Sequence, residues 1–238
     1  MKVAFHTLGC KLNFAETSTL KRKFPEGFYE QVDFNEKADI YVINTCSVTG
    51  KADRKSKESI KKAKNQNPQA IIVVVGCYAQ LQAEQIAAIP GVDLILGNNE
   101  KFNLLYYLNN YNKDNAPEIH ISDIHGNISC HSAFSLGDRT RSFLKVQDGC
   151  DYNCAYCTVP LARGRSRNQS IEGILKVARL IGQSGIKEIV LTGVNLGDFG
   201  KSTDESFPDL MIQLEKIPEI KRYRISSIEP NLLDDHII

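Results

Sequence analysis

Three cysteines fall within eight residues, Cys150, Cys154 and Cys157, in the spacing C-x3-C-x2-C. Thiolates are the usual ligands of iron–sulfur clusters, and four complete the set for a cube. Three close thiolates hold three irons and leave the fourth open, as an open position on a catalytic metal takes a small molecule. Cysteine is a rare residue, so this local density points to a cluster or metal loop rather than to three stray thiols.

Four further cysteines stand at 10, 46, 77 and 130. Leu8-Gly9-Cys10, Asn44-Thr45-Cys46 and Val75-Gly76-Cys77 each follow an apolar, strand-like run. In an open α/β sheet the carboxyl ends of parallel strands share one edge, where ligands bind. The three thiols are therefore expected to converge as a second cluster site, although cysteine is also often simply buried. Gly9 and Gly76 would let backbone approach a ligand closely. Cys130-His131 has no second Cys/His pair nearby and reads as a surface loop. An odd cysteine count argues against a disulfide framework and for metal or catalytic use.

The elements that must carry these residues follow from periodicity. Strands are predicted at Lys2–Leu8, Asp39–Asn44, Ala70–Val75 and Val92–Leu96. Helices are predicted at Asn13–Lys23, Lys51–Asn65, Gln80–Ile89 and Phe102–Asn110, with Asn13 as N-cap and Glu16 three residues on. Strand–helix alternation over residues 1–112 implies an open parallel sheet with helices on both faces. Residues 113–138 are polar, include Asn115-Ala-Pro117, His120 and His125, and read as a linker. A second α/β unit spans 139–238. Its strands are Ser142–Gln147, Glu188–Thr192 and Tyr223–Ser227, and its helices Ser170–Gln183 and Pro208–Lys216. This is the opening of an α/β barrel, whose chemistry lies at the carboxyl ends of the strands. The clustered cysteines fall in the first such loop. Asn231–Ile238 reads as the start of another helix. Three strands cannot close a barrel, so the sequence is expected to be the front part of a longer protein.

Composition sets the outer bounds. The 238 residues allow one large domain or two ordinary ones. Apolar residues make up 42% and charged ones 24%, as in soluble globular proteins. The net charge of +1 means that any nucleic-acid contact must come from local basic patches. No apolar run approaches the ~20 residues of a membrane span, and the amino terminus lacks the apolar region of a signal peptide. The protein reads as cytosolic. One local patch is the helix 51–64, with Lys51, Arg54, Lys55, Lys57, Lys61, Lys62 and Lys64. It suits phosphate contacts, or a solvated face. Arg163, Arg165 and Arg167 follow the cluster loop and suit a carboxylate or a phosphate, which arginine binds bidentately.

The cysteine loop with Tyr156 before its last cysteine resembles the radical S-adenosylmethionine signature. Thr7-Leu-Gly-Cys-Lys-Leu-Asn13, Ile43-Asn-Thr-Cys-Ser-Val-Thr49 and Val75-Gly-Cys-Tyr-Ala-Gln80 resemble the amino-terminal domain of the methylthiotransferases. Lys51-Ala-Asp-Arg-Lys-Ser56, Leu161-Ala-Arg-Gly-Arg-Ser-Arg167 and Arg224-Ile-Ser-Ser-Ile-Glu-Pro230 are most similar to the branch that acts on threonylcarbamoyladenosine beside the tRNA anticodon. The isopentenyladenosine and ribosomal-protein branches are less similar at these points. The rest of the barrel and the family's small carboxy-terminal RNA-binding β-domain are absent from the sequence.

The resemblance implies two 4Fe–4S clusters and S-adenosylmethionine. Cys150, Cys154 and Cys157 would hold the cluster that binds and reductively cleaves S-adenosylmethionine to a 5′-deoxyadenosyl radical, which takes hydrogen from C2 of the adenine. Cys10, Cys46 and Cys77 would hold the auxiliary cluster that carries the sulfur, methylated by a second S-adenosylmethionine. An unactivated aryl C–H explains the radical, and the cofactors carry the hard chemistry. Tyr156, Arg163, Thr192, Gly193, Asn195, Ser226 and Glu229 are the cofactor-binding candidates. Lys51, Arg54, Lys55, Arg165 and Arg167 are the RNA-binding ones. Implied partners are tRNA and an electron donor such as flavodoxin or ferredoxin, with the protein a monomer. The alternatives are the same chemistry on isopentenyladenosine tRNA or a ribosomal protein and, without catalysis, a two-cluster electron carrier or a metal-dependent RNA-binding module.

Overall fold

The structure is a computed structural model that describes residues 1–47, 49–113, 117–126, 129–137 and 140–233. The first unit is built on six parallel strands. They are β1 (Lys2–Thr7), β2 (Glu30–Val32), β3 (Ile40–Thr45), β4 (Ile71–Gly76), β5 (Leu94–Leu96) and β6 (Glu118–His120), in the order β2-β1-β3-β4-β5-β6. Between them run α1 (Lys11–Lys21), α2 (Gly50–Gln66), α3 (Cys77–Leu81), α4 (Ala83–Ala87) and α5 (Leu104–Asn110). The strand β4, Ile-Ile-Val-Val-Val-Gly, shows why the sheet is central. Ile72 and Val74 enter the core under α2 and α4, while Val73 and Val75 enter the opposite core with α1 and α5. A strand buried on both faces needs this continuous β-branched run rather than alternation.

The second unit is a four-stranded sheet. It contains β7 (Ala133–Phe134), β8 (Ser142–Lys145), β11 (Glu188–Thr192) and β12 (Arg222–Ile225), in the order β12-β11-β8-β7. The strands β8, β11 and β12 are parallel, and β7 is antiparallel to β8. A small ribbon pairs β9 (Gln147–Asp148) with β10 (Arg167–Asn168). The helices are α6 (Val159–Arg163), α7 (Ile171–Gln183) and α8 (Phe207–Glu215). Each crossover helix begins as its sequence dictates. Ser170 caps α7 through Gly173 N–H, and Ser206 caps α8 through Asp209 N–H. Such caps satisfy amide groups that have no partner within the helix. The helix α7 buries Ile174, Ala178 and Ile181 against Leu144, Ile189 and Leu191 of the sheet.

The helix α1 joins the two units, and it departs from expectation. It starts at Lys11 with Cys10 as N-cap, so Asn13 lies inside the helix, and Asn13 is fully buried. One side of α1 puts Leu20 into the first core, and the other puts Ala15 against Ala133, Phe143 and Val190. Thr19 and Arg22 meet the Phe134 carbonyl at 3.2 and 2.7 Å. A helix covered on both sides can be polar only if its polar groups find partners, and here both units supply them.

Other differences are local. The helix predicted over Gln80–Ile89 is two short ones, broken at Gln82 (φ −138°, ψ 42°). Gln80 is held by Asn98 N–H at 2.9 Å and the Ser122 carbonyl at 3.1 Å. The stretch 113–138 supplies β6 to the first sheet and β7 to the second. The strand β2 and the helix α6 had no sequence signal strong enough to find them. The predicted helix at 231–238 shows a 3-10 turn at Pro230–Leu232, and 234–238 lie outside the described residues. So do Arg139, expected at the start of the second unit, and Asn115 and Ala116. Among the described residues no helix is long and apolar enough to cross a membrane.

Candidate functional site

The three dispersed cysteines come to one edge. Cys10 follows β1, Cys46 follows β3, and Cys77 opens α3 directly after β4. The sheet order reverses between β1 and β3, and the crevice at such a switch point is where α/β sheets bind ligands. Two glycines make the approach possible. Gly9 has φ +95°, and a Cβ there would lie 2.6 Å from Cys46 Cβ and 2.8 Å from Cys46 Sγ. Gly76 has φ +98°, and a Cβ there would strike Asn44 Oδ1 at 2.4 Å.

Side chains that the sequence reading missed tie these strand ends together. Asn13 Nδ2 donates to the Leu8 carbonyl at 2.8 Å and to the Thr45 carbonyl at 3.0 Å. Thr45 Oγ1 donates to the Val75 carbonyl at 2.6 Å. Asn44 Nδ2 reaches the Asn13 carbonyl and Thr17 Oγ1. The residues before all three cysteines are thus fixed to one another by buried hydrogen bonds.

The second unit repeats the device. Gln147 Oε1 accepts from the amides of Val194 and Asn195 at 2.7 and 3.1 Å. Its Nε2 donates to the Asp148 and Gly149 carbonyls and to Ser166 Oγ. This ties the loop that leads to Cys150 to the loop after β11. In the cysteine loop, Cys157 N–H donates to the Cys154 carbonyl at 3.0 Å, and Cys150 N–H to the Gly164 carbonyl at 3.0 Å. Cys154 is exposed, and Cys150 and Cys157 are half-buried. Burial pushes the Cys150 thiol up, and Asp198, Cys157 and Cys154 add to that.

Both edges face one cavity of about 330 Å³. Cys10, Cys46 and Cys77 line it from the first unit, and Gly193, Val194, Ser226 and Ser227 from the strand ends of the second. A second cavity of about 390 Å³ is lined by Cys150, Asp151, Asn153 and Arg165.

A buried ionic network holds the two edges in register. Glu16 on α1 receives Lys101 at 2.6 Å, Lys145 at 2.9 Å and Arg163 at 3.1 Å. Asp148 receives Lys145 at 2.6 Å, Arg163 at 2.9 Å and Arg167 at 3.4 Å. Burial alone would push the Glu16 carboxyl up, but Arg163, Lys101 and Lys145 outweigh it and hold it well below the usual range. Asp148 is held low against the same opposition, chiefly by Lys145 and Arg163. Lys101 goes the other way, because burial lowers it more than Glu16 raises it.

The candidate residues have the following surroundings. Arg163, expected at a cofactor carboxylate, is buried and spends its guanidinium on Glu16, Asp148 and Asn13 Oδ1. Arg167, expected at RNA, is also buried and donates to the carbonyls of Ser129, Arg163 and Arg165. Arg165 between them is exposed. Tyr156, expected against a cluster or adenine, is 90% exposed. Glu229 is exposed, and its amide donates to Asn195 Oδ1 at 3.2 Å. Lys51, Arg54 and Lys55 lie exposed on α2. Lys55 also borders a cavity of about 830 Å³ with His6, Phe34 and Lys62, which no cysteine lines. Cys130 is pushed up to about 11 by burial, and His131 stacks on Phe102 at 4.3 Å.

The donor chemistry fits iron–sulfur groups. Each set offers three thiols and, among the described residues, no fourth protein ligand, which suits a cube with one open iron. Among the described residues no three Cys, His, Asp or Glu groups gather as for a single ion. Thr192 Oγ1 and Asn195 Nδ2 are buried without a hydrogen-bond partner among the described residues. They flank Gly193 and Val194 of the cavity wall, and such orphaned groups suit a polar ligand.

Two parts of the chain match known families. Residues 2–97 match the uncharacterized protein family UPF0004, and residues 144–237 match the radical SAM superfamily. The chain is 42% identical to the threonylcarbamoyladenosine tRNA methylthiotransferase MtaB of Bacillus subtilis, over 99% of this chain and 53% of that one. It is 39% identical to that of Aquifex aeolicus, over 100% of this chain and 58% of that one. The chain thus spans about half the length of the curated relatives it matches. Its fold is also that of the radical S-adenosylmethionine methyltransferase TsrM from Kitasatospora setae, with a TM-score of 0.57 at 12% identity over 99% of this chain and 57% of that one. The amino-terminal part of the chain is therefore similar to UPF0004 and the carboxy-terminal part to the radical SAM superfamily, and nearly the whole chain is similar to about half of these methylthiotransferases.

Proposed function

We propose that this chain carries the two cluster-binding units of a tRNA methylthiotransferase that places a methylthio group on C2 of N6-threonylcarbamoyladenosine beside the anticodon. The observation that carries the reading is the shared cavity, with the thiols of Cys10, Cys46 and Cys77 on one wall and the strand-end loops of the radical SAM unit on the other. A sulfur donor and a radical source must both reach one carbon, and facing strand ends meet that need.

Cys150, Cys154 and Cys157 would hold the 4Fe–4S cluster that takes S-adenosylmethionine, and Cys10, Cys46 and Cys77 the auxiliary cluster. When bound, the first group would supply the radical and the second the sulfur. The chain's own residues position them. Gln147 keeps the Cys150 loop and the Gly193-Val194-Asn195 loop at a fixed spacing. Thr192, Asn195 and Ser226 offer polar groups for the amino-acid and ribose parts of S-adenosylmethionine. Asn13 and Thr45 keep the three auxiliary thiols at one edge. The exposed Lys51, Arg54, Lys55 and Arg165 suit tRNA phosphates, which supply affinity without reading sequence. The protein works as a cytoplasmic monomer, with flavodoxin or ferredoxin as electron source.

Reconstitution without oxygen tests this directly. The chain should hold about eight irons, and Cys77→Ala about four. Cys77→Ala should still form 5′-deoxyadenosine from S-adenosylmethionine and reductant, and Cys154→Ala should not. Wild-type protein that holds only about four irons sinks the second cluster. Wild-type protein that forms no 5′-deoxyadenosine sinks the radical reading.

A further inference from the structure

The network between the two units is not neutral. Lys101, Lys145, Arg163 and Arg167 bring four positive charges, and Glu16 and Asp148 bring two negative ones. All six side chains are at most 7% exposed. An excess of two buried cations is unfavourable unless an anion lies near, because desolvation penalises each charge by several kcal/mol. Among the described residues, nothing else in the network supplies that anion. The side that is open to one is the cavity wall, where Arg163 lies beside Cys10, Cys46 and Cys77.

One side chain connects the network to a sulfur. Asn98 is buried, and its Nδ2 lies 3.8 Å from Cys77 Sγ. The same Nδ2 donates to the Ala162 carbonyl of α6 at 2.6 Å. Its Oδ1 accepts from Lys101 Nζ at 2.7 Å, and Lys101 in turn holds Glu16. Asn98 thus aims an amide N–H at a thiol while an ammonium polarises its carbonyl. The helix that supplies Ala162 also supplies Arg163, so this geometry exists only when the two units are docked.

We propose that Asn98 is a positioning residue for the Cys77 sulfur, and that the surplus charge of Lys101 and Arg163 is the counter-charge of an anionic iron–sulfur centre on Cys10, Cys46 and Cys77. This rests on the reading of those cysteines as cluster ligands. Hydrogen bonds to cluster sulfurs, net charge and burial set the reduction potential. An N–H donor and nearby cations favour the reduced, more negative state. Docking of the radical SAM unit therefore raises the potential of the auxiliary centre, through residues that touch no substrate.

The test uses Asn98→Asp and Lys101→Met in the full chain. Asn98→Asp keeps the oxygen that Lys101 needs but loses the donor to sulfur. Each change is made in a Cys150→Ala background, which leaves the auxiliary centre, and in a Cys77→Ala background, which leaves the other. Iron is counted first, and a parent Cys150→Ala protein without iron overturns the cluster reading itself. Midpoints are then measured by mediated redox titration followed by electron paramagnetic resonance. In the Cys150→Ala background, the reduced-to-oxidised ratio at a fixed potential should fall about tenfold, which is about 59 mV for a one-electron couple. In the Cys77→Ala background it should not move. An unchanged auxiliary midpoint in both variants overturns the proposal, as does an equal shift of both centres. A variant that sheds its auxiliary iron supports the proposal if its cluster-free form unfolds at the parent temperature. It overturns the proposal if that form is destabilised, because the role is then structural.

Discussion

Replacing Glu16 by Gln should loosen the junction between the two units more than any other single change of similar size. The side chain is 1% exposed and takes three cations, Lys101 at 2.6 Å, Lys145 at 2.9 Å and Arg163 at 3.1 Å. Removing one partner of a buried ion pair costs about 3–5 kcal/mol, because the other charge stays buried. Asp148 still serves Lys145 and Arg163, but Lys101 keeps only Asn98 Oδ1. The Gln carbonyl returns one hydrogen bond, worth about 1 kcal/mol. The net loss is therefore about 2–4 kcal/mol. At roughly 2–4 °C per kcal/mol for a chain of this size, Tm should fall by roughly 4–16 °C. The chain has nine tyrosines and no tryptophan, so near-ultraviolet circular dichroism of tyrosine can be followed beside the far-ultraviolet signal in urea. The two probes should separate if the units come apart before they unfold. A loss below about 1 kcal/mol with coincident probes would refute the argument that this carboxylate holds the junction.

Acid should act on the same carboxylates. Glu16 and Asp148 both titrate below their ordinary values of 4.5 and 3.8 in the folded chain, so their contribution is complete above those values and is lost as pH falls through the folded ones. Urea midpoints should be level from neutral pH to about pH 5 and drop steeply below about pH 4, and a Glu16→Gln chain should show a shallower drop. Gly9→Ala should impair assembly at the auxiliary edge, since a left-handed φ costs about 1–3 kcal/mol for alanine and its Cβ would overlap Cys46. Iron content after reconstitution should fall from about eight toward about four per chain, and unchanged iron would count against this edge. The two arginines beyond the cysteine loop should separate cleanly. Arg165→Ala should leave Tm unchanged and reduce the salt dependence of tRNA binding by about one phosphate contact, whereas Arg167→Ala should lower Tm, because its guanidinium is buried among carbonyls.

The apparent paradox of α1 is resolved by the same contacts. Its sequence, Lys-Leu-Asn-Phe-Ala-Glu-Thr-Ser-Thr-Leu-Lys, has no strong apolar stripe, yet Asn13, Glu16, Thr17 and Ser18 are all buried. Packing between two sheets removes the solvent face that a polar side would normally occupy. The helix therefore serves as an adaptor whose polar groups specify one docking geometry, where an apolar surface would tolerate several.

What the sequence by itself determined were features with a local physical cause. The β-branched run of β4, the capped helices α7 and α8, and the cysteines just past strand ends are all readable, because strand period, cap chemistry and chain direction act within a few residues. Even the convergence of Cys10, Cys46 and Cys77 follows, since parallel strands place their carboxyl ends on one edge. One signal was present and went unread, the charged Lys145 and Asp148 set in an otherwise apolar strand region, which only a buried partner could explain. The partners themselves were decided by tertiary structure. Glu16 meets Lys101, Lys145 and Arg163 across 85, 129 and 147 residues of sequence. An arginine that binds an anion in water and one that is desolvated against a carboxylate have the same letter and similar neighbours. Only tertiary contacts decide that Arg163 is buried against Asn13 and Glu16, and Arg167 against Asp148 and the Ser129 carbonyl, while Arg165 faces solvent, because burial depends on what lies on the other side of the side chain.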